Sequence, residues 1–216
     1  MSAEHARALR EGAAAVHGLA ALDGRVESAG RTDAAIVHDL LLRAGVSSED
    51  ADARWAEVQA TAVERYRALC PPSLAAHVAP GIAELLPALA ARPDEFRLSL
   101  VTGNLEPVAR LKLARAGVGE WFAPGQGGFG SDHRSRPELV AIARRRAGGW
   151  PRERAVVIGD TPRDIACARA DGVRVVAVAT GPFAVTALAD ADAVVDDARA
   201  LLPVLEDLAA RGEHWP

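Results

Sequence analysis

The chain has 216 residues, half of them apolar, which is enough for one large domain or for a core with a smaller lobe. Its net charge of −4 and its lack of a basic block argue against nucleic acid as a partner. No apolar run is long enough to span a bilayer, and the charged start MSAEHARALREG is typical of a helix and not of a signal peptide. We therefore expect a cytoplasmic protein without a membrane partner.

The first third of the sequence predicts helices only. Apolar residues at helical spacing run through 2–19, 32–46 and 47–69, and each segment opens on a Ser, Thr or Asp that can cap a helix. The sequence CPPS at 70–73 interrupts this pattern, and no strand is indicated before residue 96. The sequence therefore predicts a helical lobe over residues 1–75.

The remainder of the chain, residues 76–216, alternates between strand and helix patterns. Helices are predicted over 81–93, 106–118, 136–149, 162–172 and 198–212. Strands are predicted over 96–104, 121–130, 154–160, 174–180 and 192–197. Apolar strands that alternate with amphipathic helices indicate a parallel sheet covered on both faces, and so an α/β core.

Polar residues follow three of these strands. They are Thr102-Gly103-Asn104, Gly159-Asp160-Thr161 and Thr180-Gly181. Ligands of open parallel sheets collect outside the carboxyl ends of the strands. A hydroxyl group and backbone amides, such as those of Thr102 and Gly103, suit a phosphate oxygen.

Two carboxylates lie about one helical turn apart at the second of these strand ends. Because of that spacing, Asp160 and Asp164 can address one point. Paired carboxylates suit a hard divalent cation such as Mg²⁺, which takes oxygen ligands. The alternative is that Asp160 only caps the following helix, with Thr161 sharing that role.

These segments resemble the haloacid dehalogenase superfamily, and most closely its phosphoglycolate-phosphatase-like branch with a helical cap. LVTGN at 100–104 resembles the second motif of the family, whose Ser or Thr binds the phosphoryl group. The segment 156–181 resembles the fourth motif, an acidic magnesium site, and 29–41 resembles a cap segment that lies near the substrate. The resemblance implies a Rossmann-like parallel-sheet core, residues 76–216, under an all-helical cap, residues 1–75.

The third motif of the family is a Lys, or sometimes an Arg, just ahead of a helix. The segment SDHRSRPELVAIA at 131–143 contains no Lys, so Arg134 and Arg136 are the candidates. Register with RPELV favours Arg136, and the alternative is a solvated Arg beside a helix start. An Arg in this position keeps a permanent charge and adds bidentate phosphate geometry.

The first motif of the family is the middle strand of its sheet and ends in Asp-x-Asp, whose first Asp forms an aspartyl-phosphate. The chain begins within what resembles the first cap helix, so we expect it to lack the nucleophile and the proton-transfer residue and to be inactive as given. Strand edges and apolar faces should then be exposed. Two explanations stay open: a shortened form of an active phosphatase, or a pseudo-enzyme that recruits a strand from a partner.

The resemblance implies Mg²⁺-dependent hydrolysis of a small phosphorylated metabolite. Asp160 and Asp164 would hold the metal, and Thr102, Arg136 and Asp160 would carry the catalytic roles. Contacts to the substrate are expected from Gly103, Asn104, Arg134 and Arg31. The alternatives are a non-catalytic phosphate-binding protein, a 2-haloacid dehalogenase and a phosphosugar mutase, and either a monomer or a homodimer is compatible with the sequence.

Overall fold

The helical lobe predicted from the sequence is present in the computed structural model, which describes residues 1–181 and 183–211, without the side chain of Arg211. Its helices are α1 (Ala3–His17), α2 (Asp33–Arg43), α3 (Ser48–Ala53) and α4 (Trp55–Leu69). Helix α1 begins at Ser2, whose side chain accepts a hydrogen bond from the His5 amide, and ends at Gly18 with φ 67°. The segment predicted as one helix over 47–69 is two, because α3 ends before Arg54.

The second part of the chain alternates between strands and helices. The helices are α5 (Ile82–Ala90), α6 (Glu106–Ala116), α7 (Glu138–Arg146), α8 (Pro162–Asp171) and α9 (Leu201–Arg211). The strands are β1 (Val101–Thr102), β2 (Gly128–Phe129), β3 (Val156–Gly159), β4 (Arg174–Val178) and β5 (Ala193–Val195). Position 212, the predicted end of the last helix, lies outside the described residues. Among the residues that the structure describes, no helix is long and apolar enough to cross a membrane.

Parallel strands form two separate small sheets. Strands β1 and β2 pair in one, and β3, β4 and β5 pair in that order in the other, with Ile158 opposite Val176. Side chains of β4 alternate between two apolar layers, because successive residues of a strand point to opposite faces. Val176 and Val178 pack with α5 and α9, whereas Val175 and Ala177 pack with α7 and α8. The α/β class, with helices on both faces, is confirmed.

A groove separates the two sheets, between the segment that leads into β1 and the edge of β3. Its volume is about 710 Å³, and its lining is largely apolar. Among the described residues β3 pairs only with β4, and Ile158 on β3 is 43% exposed. The expectation that strand edges and apolar surface are exposed is therefore confirmed. Lining side chains from the two sheets and the flanking helices include Leu98, Val101, Val140, Val156, Ile158 and Leu205.

The hydrophobic core of the helical lobe extends across the predicted boundary near residue 75. Leu105 and Val108, at the start of α6, are 0% and 1% exposed and pack among the buried residues of α1, α2 and α4. The lobe therefore rests on α6 through continuous apolar contact.

Backbone segments from the lobe and from both strands of the smaller sheet meet at two glycines. An added Cβ at Gly103, just after β1, would overlap the Arg31 carbonyl oxygen. One at Gly130, just after β2, would overlap the carbonyl oxygen of Gly103. Since only glycine lacks a Cβ, these two positions allow three backbone segments to approach closely.

Replacement of Gly103 by Ala is expected to lower the free energy of unfolding by about 2 kcal/mol or more, because the lobe must move away from the strand. Gly45→Ala is the matched control: the added Cβ meets open space, and φ is 87°, so only backbone strain of about 1 kcal/mol is expected. Urea unfolding followed by circular dichroism measures both variants. Equal losses would contradict the close approach at Gly103.

Candidate functional site

The carboxyl ends of both sheets lie on the same edge of the molecule. Arg136, in the segment that follows β2, reaches Asp164 in the first turn of α8, which follows β3. The segment that leads into α2 contacts the first turn of α8 and the loop after β1 as well, since Arg163 Nη2 donates to Glu27 Oε2 at 2.8 Å while the backbone of Arg31 packs against Gly103. The sequence expectation that these strand ends share one edge thus agrees with the fold.

Asp164 is held by hydrogen bonds to both of its carboxylate oxygens. Oδ1 accepts from Arg136 Nη2 at 2.6 Å, and Oδ2 accepts from the Thr161 hydroxyl at 2.8 Å and from the amides of Thr161 and Asp160 at 3.1 and 3.2 Å. The Thr161 side chain in turn accepts from the Asp164 amide, which completes a capping box at the start of α8. Asp164 is therefore a fixed carboxylate with few oxygen lone pairs left for another ligand.

Asp160 differs from its neighbour because it does not cap α8. Thr161 takes that position, and the Asp160 side chain instead lies against Gly181, where an added Cβ would overlap its Oδ2 atom. Burial, and then the charge of Asp164, raise the pKa of Asp160, although its own amide and Arg136 act in the opposite direction. The edge therefore presents one half-buried carboxylate whose negative charge is incompletely compensated.

The carboxylates of Asp160 and Asp164 fit a magnesium ion that retains water ligands. The described residues contain no cluster of three or more His, Cys, Asp or Glu side chains placed to enclose a metal. Mg²⁺ rarely needs such a cage, because it is usually held by one or two carboxylates together with water and substrate phosphate. Asp160 can supply a direct carboxylate oxygen, and Asp164 can position it through the Asp160 amide.

The structure separates the two arginines that the sequence left as alternatives. The Arg136 side chain is 16% exposed and pairs with Asp164, and its carbonyl accepts from the Cys167 thiol at 3.0 Å. Its Nε atom is buried without a hydrogen-bond partner among the described residues. Arg134 points to the lobe, where its guanidinium pairs with Asp52 at the surface. Only Arg136 is brought beside the paired carboxylates.

The loop after β1, Thr102 to Asn104, presents a hydroxyl group at the same edge. The Thr102 hydroxyl oxygen accepts from the Asn104 amide at 3.3 Å, so its own hydrogen remains free to donate. The Asn104 side chain does not cap α6, because its Oδ1 accepts from Lys112 Nζ at 2.7 Å. The Gly103 carbonyl accepts from the Asp33 amide at 2.7 Å. We refer to residues 102–104 as the β1 loop.

Arg31 is not brought together with the carboxylates. Its Nη2 atom donates to Asp39 Oδ2 at 2.7 Å and to the Ala35 carbonyl at 3.2 Å, so the side chain lies back along α2. The backbone of Arg31, and not its guanidinium, contacts the β1 loop.

A buried polar cluster beneath the β1 loop was missed in the sequence. His5, Asp33 and Lys112 lie together there, and His5 and Asp33 are almost completely inaccessible to solvent. Lys112 is the single lysine of the chain, and it shares one face of α6 with Leu105 and Val108 at helical spacing. A lone lysine on an apolar face is the signal that could have indicated a buried partner.

Neither Asp-x-Asp triplet of the sequence that falls among the described residues follows a strand. Asp50 to Asp52 lies within α3. Asp190 to Asp192 precedes β5, and Asp192 forms an ion pair with Arg169 at 2.9 Å. Over residues 1–181 and 183–211, no carboxylate pair of that spacing lies at the carboxyl edge of a sheet.

Comparisons with known proteins match most of the chain. A family model described as haloacid dehalogenase-like hydrolase matches residues 6–169, and a second, described as HAD-hydrolase-like, matches residues 134–207. No curated protein matches.

Several solved structures share the fold. A β-phosphoglucomutase from Clostridium difficile is 16% identical over 96% of this chain and 90% of its own, with a TM-score of 0.65. A HAD hydrolase, family IA, variant 3 from Entamoeba histolytica is 16% identical over 95% and 92%, with a TM-score of 0.60. A mutant of CbbY from Rhodobacter sphaeroides, in complex with xylulose-(1,5)bisphosphate, is 21% identical over 92% and 88%, with a TM-score of 0.56.

Asp160→Asn is expected to raise the free energy of unfolding at neutral pH in metal-free buffer. An Asp whose pKa is higher in the folded chain adds stability below the unfolded pKa, and this stability is lost as the pH rises through the folded pKa. An asparagine at this position does not ionise, so the free energy of unfolding of the Asp160→Asn variant should depend less on pH from about pH 4 upward.

Urea unfolding between about pH 4 and pH 8 measures the two profiles. Asp190→Asn, at an exposed position before β5, serves as the control for the loss of one surface carboxylate. If Asp160→Asn and the unsubstituted chain lose stability in parallel over this range, the raised pKa of Asp160 is wrong.

Proposed function

We propose, since the chain belongs to the haloacid dehalogenase-like hydrolase family, that its site serves the Mg²⁺-dependent hydrolysis of a small phosphomonoester. The observation that carries this proposal is the state of Asp160. This carboxylate is half-buried, takes no part in capping α8 and has a raised pKa. Such a carboxylate would be stabilised by a bound cation, because its negative charge is incompletely compensated by the protein.

The roles of the residues follow from their contacts. Asp160 would hold the metal, and Asp164 would fix both the Asp160 amide and the Arg136 guanidinium. The Thr102 hydroxyl and the Gly103 amide would donate to phosphoryl oxygens. Arg136 would stabilise the charge that develops on the transferring group, since its guanidinium lies close to Asp160 and pairs with Asp164. Bound Mg²⁺ would offset the repulsion between the phosphate and an attacking carboxylate.

Turnover also requires the family's nucleophile, a strand that ends in Asp-x-Asp. We infer that such a strand would fit in the groove between β1 and β3. The groove is lined largely by apolar side chains, and among the described residues it is flanked by unpaired edges of two parallel sheets. A strand parallel to both would end at the edge that carries Thr102 and Asp160. We propose that the 216 residues alone have no phosphatase activity for lack of this strand.

A phosphosugar is the substrate class that the structural neighbours suggest. One is named a β-phosphoglucomutase, and another was crystallised with xylulose-(1,5)bisphosphate. Phosphosugar mutase activity is therefore the second candidate. A small metabolite in the cytoplasm, and not nucleic acid or a membrane, remains the proposed partner.

Addition of an apolar strand ending in Asp-x-Asp ahead of residue 1 is expected to produce release of phosphate from p-nitrophenyl phosphate. The 216-residue chain should release none above a Mg²⁺ blank. In the longer form, Asp160→Asn should lower turnover by about 10²-fold or more, because the negative charge of the metal ligand is lost. Clear turnover by the shorter chain would refute the account of the nucleophile, and an unchanged rate in Asp160→Asn would refute the metal assignment.

Arg136→Ala in the same longer form should lower kcat/KM by about 10²-fold, because a charged donor to the transferring group is removed. Arg134→Ala is the matched control, since that guanidinium pairs with Asp52 at the surface and should change kcat/KM by less than about threefold. Steady-state kinetics with p-nitrophenyl phosphate measures both. Similar effects of the two substitutions would show that Arg136 has no special role.

A further inference from the structure

A buried carboxylate of the helical lobe lies at the start of α6. Asp33, the first residue of α2, is 1% exposed, and its Oδ2 atom accepts from the Leu105 amide at 2.8 Å. Helix α6 has no side-chain cap of its own, because apolar Leu105 occupies the capping position. Asp33 therefore caps α6 from another helix, where its negative charge also interacts favourably with the helix dipole.

Asp33 contacts the chain on both sides of Asn104. Its side chain accepts from the following residue, Leu105, and its own amide donates to the preceding residue, the Gly103 carbonyl, at 2.7 Å. Asn104 itself is held from below, because its Oδ1 accepts from Lys112 Nζ. The end of the β1 loop is thus fixed by one residue of the lobe and one residue of α6.

His5 lies between the side chains of Lys112 and Asp33. Lys112 Nζ lies 3.1 Å from His5 Nδ1, and an ammonium group can only donate, so Nδ1 accepts and Nε2 carries the proton. That Nε2 atom lies 3.0 Å from Asp33 Oδ2 as a close contact outside ideal hydrogen-bond alignment. Burial lowers the pKa of Lys112, and the negative charge of Asp33 counteracts that effect. Asp33 therefore stabilises the charged form of Lys112.

We propose that Asp33 is a positioning residue for the β1 loop, so that docking of the helical lobe and the geometry of the phosphate-binding hydroxyl are coupled through one residue. The proposal rests on the proposed function in so far as the β1 loop binds phosphate. Withdrawal of the lobe would remove the cap from Leu105 and the donor from Gly103 together. An undocked lobe would then leave Thr102 and the Gly103 amide without a fixed arrangement.

Amide hydrogen exchange by NMR on the 216-residue chain tests the positioning without any need for turnover. Asp33→Ala should speed exchange at Leu105 by about tenfold more than the change in global stability accounts for, because this amide loses a charged acceptor. Val37→Ala is the matched control, since Val37 is 0% exposed on the same helix but its apolar side chain cannot accept a hydrogen bond from the Leu105 amide. Its effect at Leu105 should not exceed its effect on global stability.

The conservative variant separates positioning from simple destabilisation. Asp33→Asn keeps an oxygen that can accept from the Leu105 amide, so exchange there should stay within about threefold of the unsubstituted chain after the same correction. If Asp33→Ala and Val37→Ala affect Leu105 equally, or if Asp33→Asn behaves like Asp33→Ala, the positioning role is overturned.

Titration with inorganic phosphate, followed at the Gly103 amide, links the contact to binding. Asp33→Ala should weaken phosphate affinity by about tenfold relative to Val37→Ala, with Asp33→Asn near the unsubstituted value. Equal affinities in all variants would overturn the link to phosphate. If the unsubstituted chain binds no phosphate, the proposed function fails at this site, whereas the exchange result still decides whether Asp33 positions the loop.

Discussion

The ion pair between Arg136 and Asp164 is the contact on which the candidate site depends. It joins the segment after β2 to the start of α8, and so links the two small sheets at their carboxyl edge. Both partners are mostly buried, and removal of one partner of such a pair typically costs about 3–5 kcal/mol because the other charge remains unpaired. The same contact occupies Asp164, and it therefore leaves Asp160 as the carboxylate that can take a cation.

A second set of contacts brings the helical lobe to that edge. Gly103 lets the backbone of Arg31 lie directly on the smaller sheet, and Gly130 lets the Gly103 carbonyl approach the end of β2. The apolar face of α6 continues the hydrophobic core of the lobe. Asp33 adds a charge-assisted hydrogen bond at the point where α6 begins. The lobe thus has a defined docked position on the smaller sheet and α6.

The groove between β1 and β3 lies beside the candidate site and is flanked by helices that pack on both faces of the larger sheet. Helices α7 and α8 cover one face of the larger sheet and α5 and α9 cover the other, so the layers on either side of the groove are supported without a central strand. The unpaired edges are a physical opportunity for strand addition, because each carries unsatisfied backbone donors and acceptors. Completion of the sheet and completion of the reaction centre would then be the same event.

The sequence by itself determined the α/β class, the helical lobe and the strand ends that carry Thr102 and Asp160, because apolar periodicity and capping residues act over a few neighbouring positions. It also placed Asp160 and Asp164 together, since one helical turn separates them. Only the tertiary structure decided that Arg136 and not Arg134 approaches these carboxylates, and that Arg31 folds back on α2. It alone revealed the cluster of His5, Asp33 and Lys112, because these residues are separated by long stretches of chain and meet only when the lobe packs on α6.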